Sequence, residues 1–145
     1  MTKTRAAVLV ALMLTLAIAL TGCGGGGTDP AQLEGTWNLK SLGGASDLKD
    51  ADPAIATNIA FKAKDSSASG SGGVNSFSTT YVATEDGSLS FGPIAGTMKA
   101  GEPAAMEQEQ AFFDALASTA SFELNGSDLV LSDVGNNTVA VLVRR

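Results

Sequence analysis

The sequence predicts an α+β fold in which one amphipathic helix covers a small antiparallel β-sheet. Three observations support this prediction. From residue 36 onward, short segments alternate apolar with polar residues, as half-buried strands do, and turns rich in Gly, Asn and Asp separate them. A single segment near residues 103–118 instead places its apolar residues at helical spacing. The last segment is apolar on both faces, which is expected of a strand that another element covers.

Residues 1–22 have the layout of a secretory signal peptide. Lys3 and Arg5 form a positively charged n-region, and residues 6–20 form an apolar run interrupted only by Thr15. This run of 15 residues is shorter than the roughly 20 apolar residues that a helix needs to cross a bilayer. The run therefore predicts a cleaved signal peptide rather than a transmembrane helix.

The apolar run ends in Leu20-Thr21-Gly22-Cys23, a lipobox of the kind that bacterial lipoprotein processing recognises. Cleavage before Cys23 would leave its thiol to take a diacylglyceryl group and its amine to take a further acyl chain such as palmitate. Two or more chains anchor a protein stably, at ~0.8 kcal/mol per buried CH₂. The sequence thus predicts an exported, membrane-anchored lipoprotein of the cell envelope, with the lipid on Cys23.

Charge and composition exclude several classes of partner. Removing residues 1–22 takes away Lys3 and Arg5 and no acid, so the formal net charge changes from −6 to −8. This acidic balance argues against nucleic acid as a partner and against a polybasic contribution to membrane adhesion. Cys23 is the only cysteine and the chain has no His. We therefore expect no internal disulfide, no metal ion and no cofactor.

Residues 23–32 are predicted to be a lipidated Gly-rich tether, and residues 33–145 one small domain. Residues 24–27 are four consecutive glycines. Since Gly-rich chain behaves as flexible coil, the domain is expected to stand off the bilayer and to reorient.

Strands are predicted where the apolar period is two, beginning with Trp37 and Leu39 and continuing with residues 59–63. Phe77 and Tyr81 share a face with Thr79. Hairpins are predicted at the turns 85–88 and 125–128, and a further turn at 134–137 leads into the last strand, 138–143. The stretch 65–73, rich in Ser and Gly, is predicted to be a mobile loop.

The helix is predicted from Pro103 to about Ser118, because proline suits a first helical turn. Glu102, Glu107 and Glu109 lie towards its N-terminal half, where the helix dipole favours acids. Glu107 and Glu109 are two residues apart and point to different faces, and we expect them to be solvated. The stripe expected to pack on the sheet consists of Ala105, Met106, Phe112, Phe113 and Leu116.

Three ordered motifs lie along the domain: Leu-Glu-Gly-Thr-Trp at 33–37, Gly-Val-Asn-Ser-Phe at 73–77 with Tyr81 following, and Phe-Gly-Pro-Ile-Ala-Gly-Thr-Met at 91–98 before Met-Glu-Gln-Glu at 106–109. In this order they resemble the META domain (HslJ-like) family. The resemblance implies that the antiparallel sheet curls into an incomplete barrel with the helix packed on it. The family motif positions are Trp37, Asn75, Phe77, Tyr81, Thr97, Met98 and Glu109.

The resemblance also implies an envelope protein in heat-shock, antibiotic-tolerance or virulence contexts, without a defined biochemical activity. Members commonly carry a cysteine where this chain has Val74, and another in the segment where it has Lys99 and Ala100. Both cysteines are absent from this chain. A disulfide or redox role of those positions is therefore not expected here.

We expect structural roles for three of the motif residues. Trp37 is expected to be packed, with its indole N–H on a backbone carbonyl. Asn75 follows two glycines and is expected either to adopt a left-handed conformation or to tie a turn to the backbone. Thr97 is expected to cap the approach to the helix, unless Gly101-Glu102 does so. No catalytic residue is predicted, because without His a Ser-His pair is impossible and no Ser-x-x-Lys segment is present.

The leading functional hypothesis is a non-catalytic envelope lipoprotein with a META-like domain that acts as a binding module, in the manner of a chaperone or stress-tolerance factor. Its partners would be the membrane, through the lipid on Cys23, and an envelope protein or an apolar molecule. A carboxylate-based envelope hydrolase and a purely structural protein are the alternatives. An apolar cavity lined by Trp37, Phe61, Phe77 and Tyr81 would favour the binding hypothesis. Acids that converge on one pocket would favour hydrolysis, and a solid core would favour the structural role.

Overall fold

The computed structural model describes residues 26–44 and 47–145. The predicted signal peptide and Cys23 lie outside the described residues. No helix in this part of the chain is long and apolar enough to span a membrane. The elements are a 3-10 helix at Pro30–Leu33 and another at Ala63–Asp65, the helix α1 (Pro103–Ser118), and the strands β1 (Gly35–Leu42), β2 (Lys49–Asp50), β3 (Asn58–Lys62), β4 (Ser67–Ser71), β5 (Ser76–Ala83), β6 (Leu89–Phe91), β7 (Ala95–Gly96), β8 (Ser121–Asn125), β9 (Asp128–Ser132) and β10 (Thr138–Arg144).

The strands form one antiparallel sheet that curls into a nearly closed barrel. Their order is β6-β5-β4-β3-β1-β10-β9-β8, with β2 beside β1 and β7 beside β5. At the seam between β6 and β8, the Phe122 N–H donates to the Gly87 carbonyl at 2.8 Å and the Leu89 N–H to the Ala120 carbonyl at 3.1 Å. These bonds bridge the seam without sealing it along its length. The α+β prediction, with an incomplete barrel and one packed helix, is confirmed.

Side chains from alternating strand positions fill the barrel. Trp37, Phe61, Phe77 and Tyr81 are between 0% and 7% exposed. The Phe61 and Tyr81 rings meet edge to face with centroids 5.1 Å apart, which is a favourable aromatic geometry. The four side chains thus pack as a solid core rather than line an apolar cavity.

Helix α1 packs on the sheet through the C-terminal part of the predicted stripe. Phe112 and Leu116 are both 0% exposed, whereas Met106 is 37% exposed. The Phe112 ring meets Phe77 of β5 edge to face at 5.9 Å. The helix also contacts β10, so it provides the cover that the apolar last strand requires.

The prediction of a loop over 65–73 is wrong, because residues 67–71 form strand β4. This strand lies between β3 and β5 and pairs with both along its length. Its side chains are small because the neighbouring backbones approach closely: a Cβ on Gly70 would lie 2.1 Å from the Asn58 carbonyl oxygen. A central strand without large apolar residues gives no alternating pattern, so its Ser and Gly content favours a loop instead.

The expectation of a free tether does not hold for residues 27–32. Gly27 and Leu124 of β8 exchange two backbone hydrogen bonds, of 2.8 Å and 2.7 Å. The following residues enter the 3-10 helix, whose Leu33 is fully buried. Gly27 therefore forms an isolated β-bridge with the edge of β8, which fixes the chain to the barrel at this point.

We predict that Phe112→Ala lowers the free energy of unfolding by about 3–5 kcal/mol, because it empties a fully buried aromatic site between helix and sheet. Glu107→Ala is the matched control on an exposed position of the same helix, and should change it by no more than about 0.5 kcal/mol. Chemical denaturation measures both values. Similar losses in the two variants would show that α1 does not dock through Phe112.

Candidate functional site

The family motif positions occupy separate places in the fold. Trp37 lies near the N-terminal 3-10 helix, where its indole N–H donates to the Leu33 carbonyl at 2.8 Å, as expected. Phe77 and Tyr81 belong to the core, and Met98 is 99% exposed. The structure brings together only Asn75, Thr97 and Glu109, at the point where α1 meets the β4–β5 connection.

Glu109 is a buried carboxylate that the β4–β5 connection surrounds with donors. It is 4% exposed. Its Oε2 accepts from the backbone N–H groups of Val74, at 2.9 Å, and Asn75, at 2.5 Å. Its Oε1 accepts from the Asn75 side-chain amide at 2.6 Å. The expectation of a solvated Glu109 is therefore wrong, since three donors replace its water, while Glu107 is exposed as expected.

Asn75 connects Glu109 to the segment that precedes the helix. Its Oδ1 accepts from the Lys99 N–H at 2.6 Å and from the Thr97 hydroxyl at 2.8 Å, and its amide also donates to the Lys99 carbonyl at 3.2 Å. Asn75 therefore ties turns to the backbone, and it does so without a positive φ, which Gly73 supplies at 127°. We call Asn75, Thr97, Lys99 and Glu109 the polar latch.

The latch gives Thr97 a role other than capping. Its hydroxyl is bound to Asn75, and the N-cap of α1 is Glu102, which makes no side-chain capping bond. Of the two alternatives, capping by Thr97 is thus wrong, and Glu102 occupies the N-cap position. Thr97 lies six residues before Pro103, and the sequence does not indicate which group its hydroxyl binds.

Burial and hydrogen bonding act on Glu109 in opposite directions. Burial raises the pKa of its carboxyl. The hydrogen bonds from the Asn75 side chain and from the Asn75 and Val74 backbones together lower the pKa by more than burial raises it, so the pKa lies below the ordinary 4.5. Glu109 is therefore an ionised acceptor whose oxygens are already occupied. This arrangement suits it to hold α1 in place and not to donate a proton.

The segment before α1 passes close to the β4–β5 connection at Gly101. Val74 is half-buried, and a Cβ added at Gly101 would lie 2.6 Å from the Val74 Cγ2 atom. Only glycine allows this close contact between the two segments. This contact and the polar latch hold the same two segments together without a disulfide.

A groove of about 740 Å³ runs along the outer side of α1, between the helix and the segments 42–44 and 47–52. We call it the helix groove. Its apolar lining comes mainly from small side chains, and acidic side chains stand on both walls. The apolar residues include Ala104, Ala111, Ala115 and Val139, and the acids are Asp47, Asp50, Asp52, Glu107 and Asp114.

Gln108 joins the two walls of the helix groove. Its carbonyl accepts from the Asp52 N–H at 2.8 Å, and its amide donates to the buried Thr57 hydroxyl at 2.9 Å. The single cation of the lining, Lys49, is paired with Asp47 at 3.0 Å. No sequence pattern predicts this site, although three aspartates within residues 47–52 lie on one of its walls.

The groove acids are not arranged as a metal centre. In residues 26–44 and 47–145, no three side chains of the types His, Cys, Asp and Glu come together as a metal-binding group. All five groove acids are exposed. What the groove offers chemically is a small-residue surface bordered by negative charge.

We predict that Glu109→Gln destabilises the domain by about 1–3 kcal/mol near neutral pH, because the NH₂ group of Gln would face N–H groups with which it cannot form hydrogen bonds. The free energy of unfolding of the variant should also depend less on pH. The pKa of Glu109 is lower in the folded chain, so its stabilisation is complete above the ordinary value and is lost as the pH falls through the folded value.

Urea denaturation of the wild type, Glu109→Gln and Glu107→Gln between neutral and acid pH tests this prediction. Glu107→Gln should follow the wild-type profile, since Glu107 is exposed. Parallel pH profiles for the wild type and Glu109→Gln would contradict the assignment of Glu109 as an ionised acceptor.

Comparisons with known proteins agree with this architecture. A protein from Burkholderia xenovorans, solved by NMR, superposes with a TM-score of 0.66 at 19% identity, covering 100% of this chain and 99% of its own. A DUF4847 family protein from Bacteroides vulgatus ATCC 8482, solved by crystallography, gives 0.57 at 19% identity, covering 78% and 94%. No match was found among curated proteins. The META domain family model matches residues 31–145, and the chain therefore belongs to the META domain family.

Proposed function

We propose that this chain is a non-catalytic lipoprotein of the bacterial cell envelope whose META domain binds a basic segment of another envelope protein in the helix groove. The location rests on the signal-peptide layout and on the lipobox that ends at Cys23. Binding of an envelope protein is also what a chaperone-like or stress-tolerance role would require.

The helix groove is the observation that carries the binding proposal. Its volume of about 740 Å³ falls in the range of roughly 300–1,000 Å³ typical of ligand sites. Its small apolar side chains leave room for the aliphatic stems of Lys or Arg, which pack along apolar surface while their charged ends reach acids. Five acids and one already paired lysine give the groove negative charge that complements such a segment.

A carboxylate-based hydrolase receives less support. Such enzymes need a carboxyl whose pKa is raised so that it can act as the general acid. Burial is the usual cause of such a shift, whereas the five acids of the helix groove are all exposed.

A purely structural role is the second candidate, and the solid core favours it. Because Trp37, Phe61, Phe77 and Tyr81 are packed, the barrel interior lends no support to an enclosed apolar ligand. A binding site would therefore lie on the outer surface of the domain, where the helix groove is. The two candidates therefore differ in whether the helix groove is used.

We predict that the mature acylated chain in detergent binds a short fluorescent Lys-Ala peptide and not a Glu-Ala peptide of equal length. The double variant Glu107→Lys/Asp114→Lys should bind the Lys-Ala peptide at least about tenfold more weakly, a loss of roughly 1.4 kcal/mol. Added salt should weaken wild-type binding, because the groove acids are exposed. Fluorescence anisotropy measures all three.

The matched control is Glu85→Lys/Glu123→Lys, which changes the net charge equally at exposed positions outside the groove. It should retain wild-type affinity. Equal weakening by both double variants would reduce the effect to overall charge, and failure of every peptide to bind would favour the structural role.

We further predict that metabolic labelling with a fatty-acid probe marks the wild type and not Cys23→Ser. The lipobox makes Cys23 the acylated residue of the mature chain. An unlabelled wild-type band at full precursor mass would contradict the lipoprotein assignment.

A further inference from the structure

The chain is fixed to the barrel from Gly27 onward. Besides the two hydrogen bonds between Gly27 and Leu124, the Thr28 hydroxyl donates to the Glu85 carbonyl at 2.8 Å. Gly87 is buried at a φ of +88°, and a Cβ there would lie 2.9 Å from the Thr28 methyl carbon. Residues 27–28 thus lie beside the seam, between β8 and the β5–β6 turn.

The 3-10 helix that follows is held from three directions. The Asp29 carboxylate accepts from the Ala31 N–H at 2.9 Å, and the Leu33 carbonyl accepts from Trp37. The Arg144 guanidinium lies 4.3 Å from the centre of the Trp37 ring and donates to the carbonyls of Gln32 and Glu34. The start of the domain is therefore a rigid part of it, and not the end of a tether.

The strand register places this start at one end of the barrel. Gly35 at the beginning of β1 pairs with Phe61 near the end of β3, and the Arg144 N–H donates to the Ser127 carbonyl in the β8–β9 turn. We call this the N-terminal end. It comprises the 3-10 helices at 30–33 and 63–65, the β5–β6 and β8–β9 turns, and Arg144 and Arg145.

The helix groove belongs to the opposite end. Leu42 at the end of β1 pairs with Ala140 near the start of β10, beside the β9–β10 turn, and Leu42, Gly43 and Val139 line the groove. The polar latch joins α1 to the β4–β5 connection, where β4 ends and β5 begins. Gly27 and the groove are thus separated by the length of the barrel.

Covalent geometry limits how far the lipid can lie from the N-terminal end. Cys23 and Gly27 are four residues apart, which spans at most about 14 Å whatever the conformation. A folded domain of this size is roughly 35 Å across. A connection this short cannot pass around the domain, so the domain cannot stand on its opposite end at the membrane.

We infer that the acylated protein lies with its N-terminal end against the membrane surface, and that the helix groove faces away from it. This inference rests on the proposed lipid anchor at Cys23. Lys62, Lys64 and Arg145 are exposed at this end, but so are Asp65, Glu85 and Asp86. Because the charges are mixed, the short connection rather than attraction to headgroups sets the orientation.

Nitroxide quenching on liposomes tests the orientation. A fluorophore is placed on the acylated mature chain through Ser127→Cys or Lys64→Cys at the N-terminal end, or through Val134→Cys in the β9–β10 turn; all three positions are exposed. Lipids that carry a nitroxide on the headgroup should quench the first two labels several-fold more than the third. The acyl label on Cys23 is measured on the same samples.

A variant with a longer connection is the control. Inserting about twelve Gly and Ser residues after Gly24 adds flexible chain while leaving the lipobox and residues 27–34 intact, and should reduce the difference between the two ends. Acylated protein with equal quenching at both ends would overturn the orientation alone. A missing acyl label would overturn the lipid anchor, and the orientation with it.

Discussion

The hydrogen bonds that the buried Glu109 carboxylate accepts fix the position of α1 against the barrel. An ionised group in this position would cost several kcal/mol without partners, and its three donors all come from residues 74 and 75. Because those donors are backbone and amide groups of one short connection, α1 has one favourable position along it. That position decides where the opposite side of α1 lies, and so it also shapes the wall of the helix groove.

The two ends of the barrel are closed by different chemistry, and neither uses a disulfide. One end has the polar latch with the Val74–Gly101 contact beside it. The other has Arg144, which stacks on Trp37 and binds the 3-10 helix through backbone carbonyls. The segment 27–34 and the C-terminal strand are thus tied to each other, which is why the chain from Gly27 onward is a fixed part of the domain.

The local sequence pattern predicts the elements that bury large side chains. It does not predict the elements that bury only small ones. Phe77 and Tyr81 on β5, or Phe112 and Leu116 on α1, show their face through spacing alone. Strand β4 has only Ser, Ala and Gly, and its place is decided by its neighbours on both sides. Local spacing predicts a solvated Glu109 because its donors lie 34 and 35 residues away in sequence, a separation that no local pattern reveals.

The proposed orientation also limits which partners would reach the helix groove. With the N-terminal end at the bilayer, as proposed, the groove would open into the aqueous space at the far side of a domain roughly 35 Å across. A basic segment buried in the headgroup region of the same membrane would not reach it, whereas one presented by a soluble or projecting protein would. The acids of the groove, held beyond the Debye length of about 8 Å from an anionic surface at physiological salt, would act on such a partner without competition from the lipid.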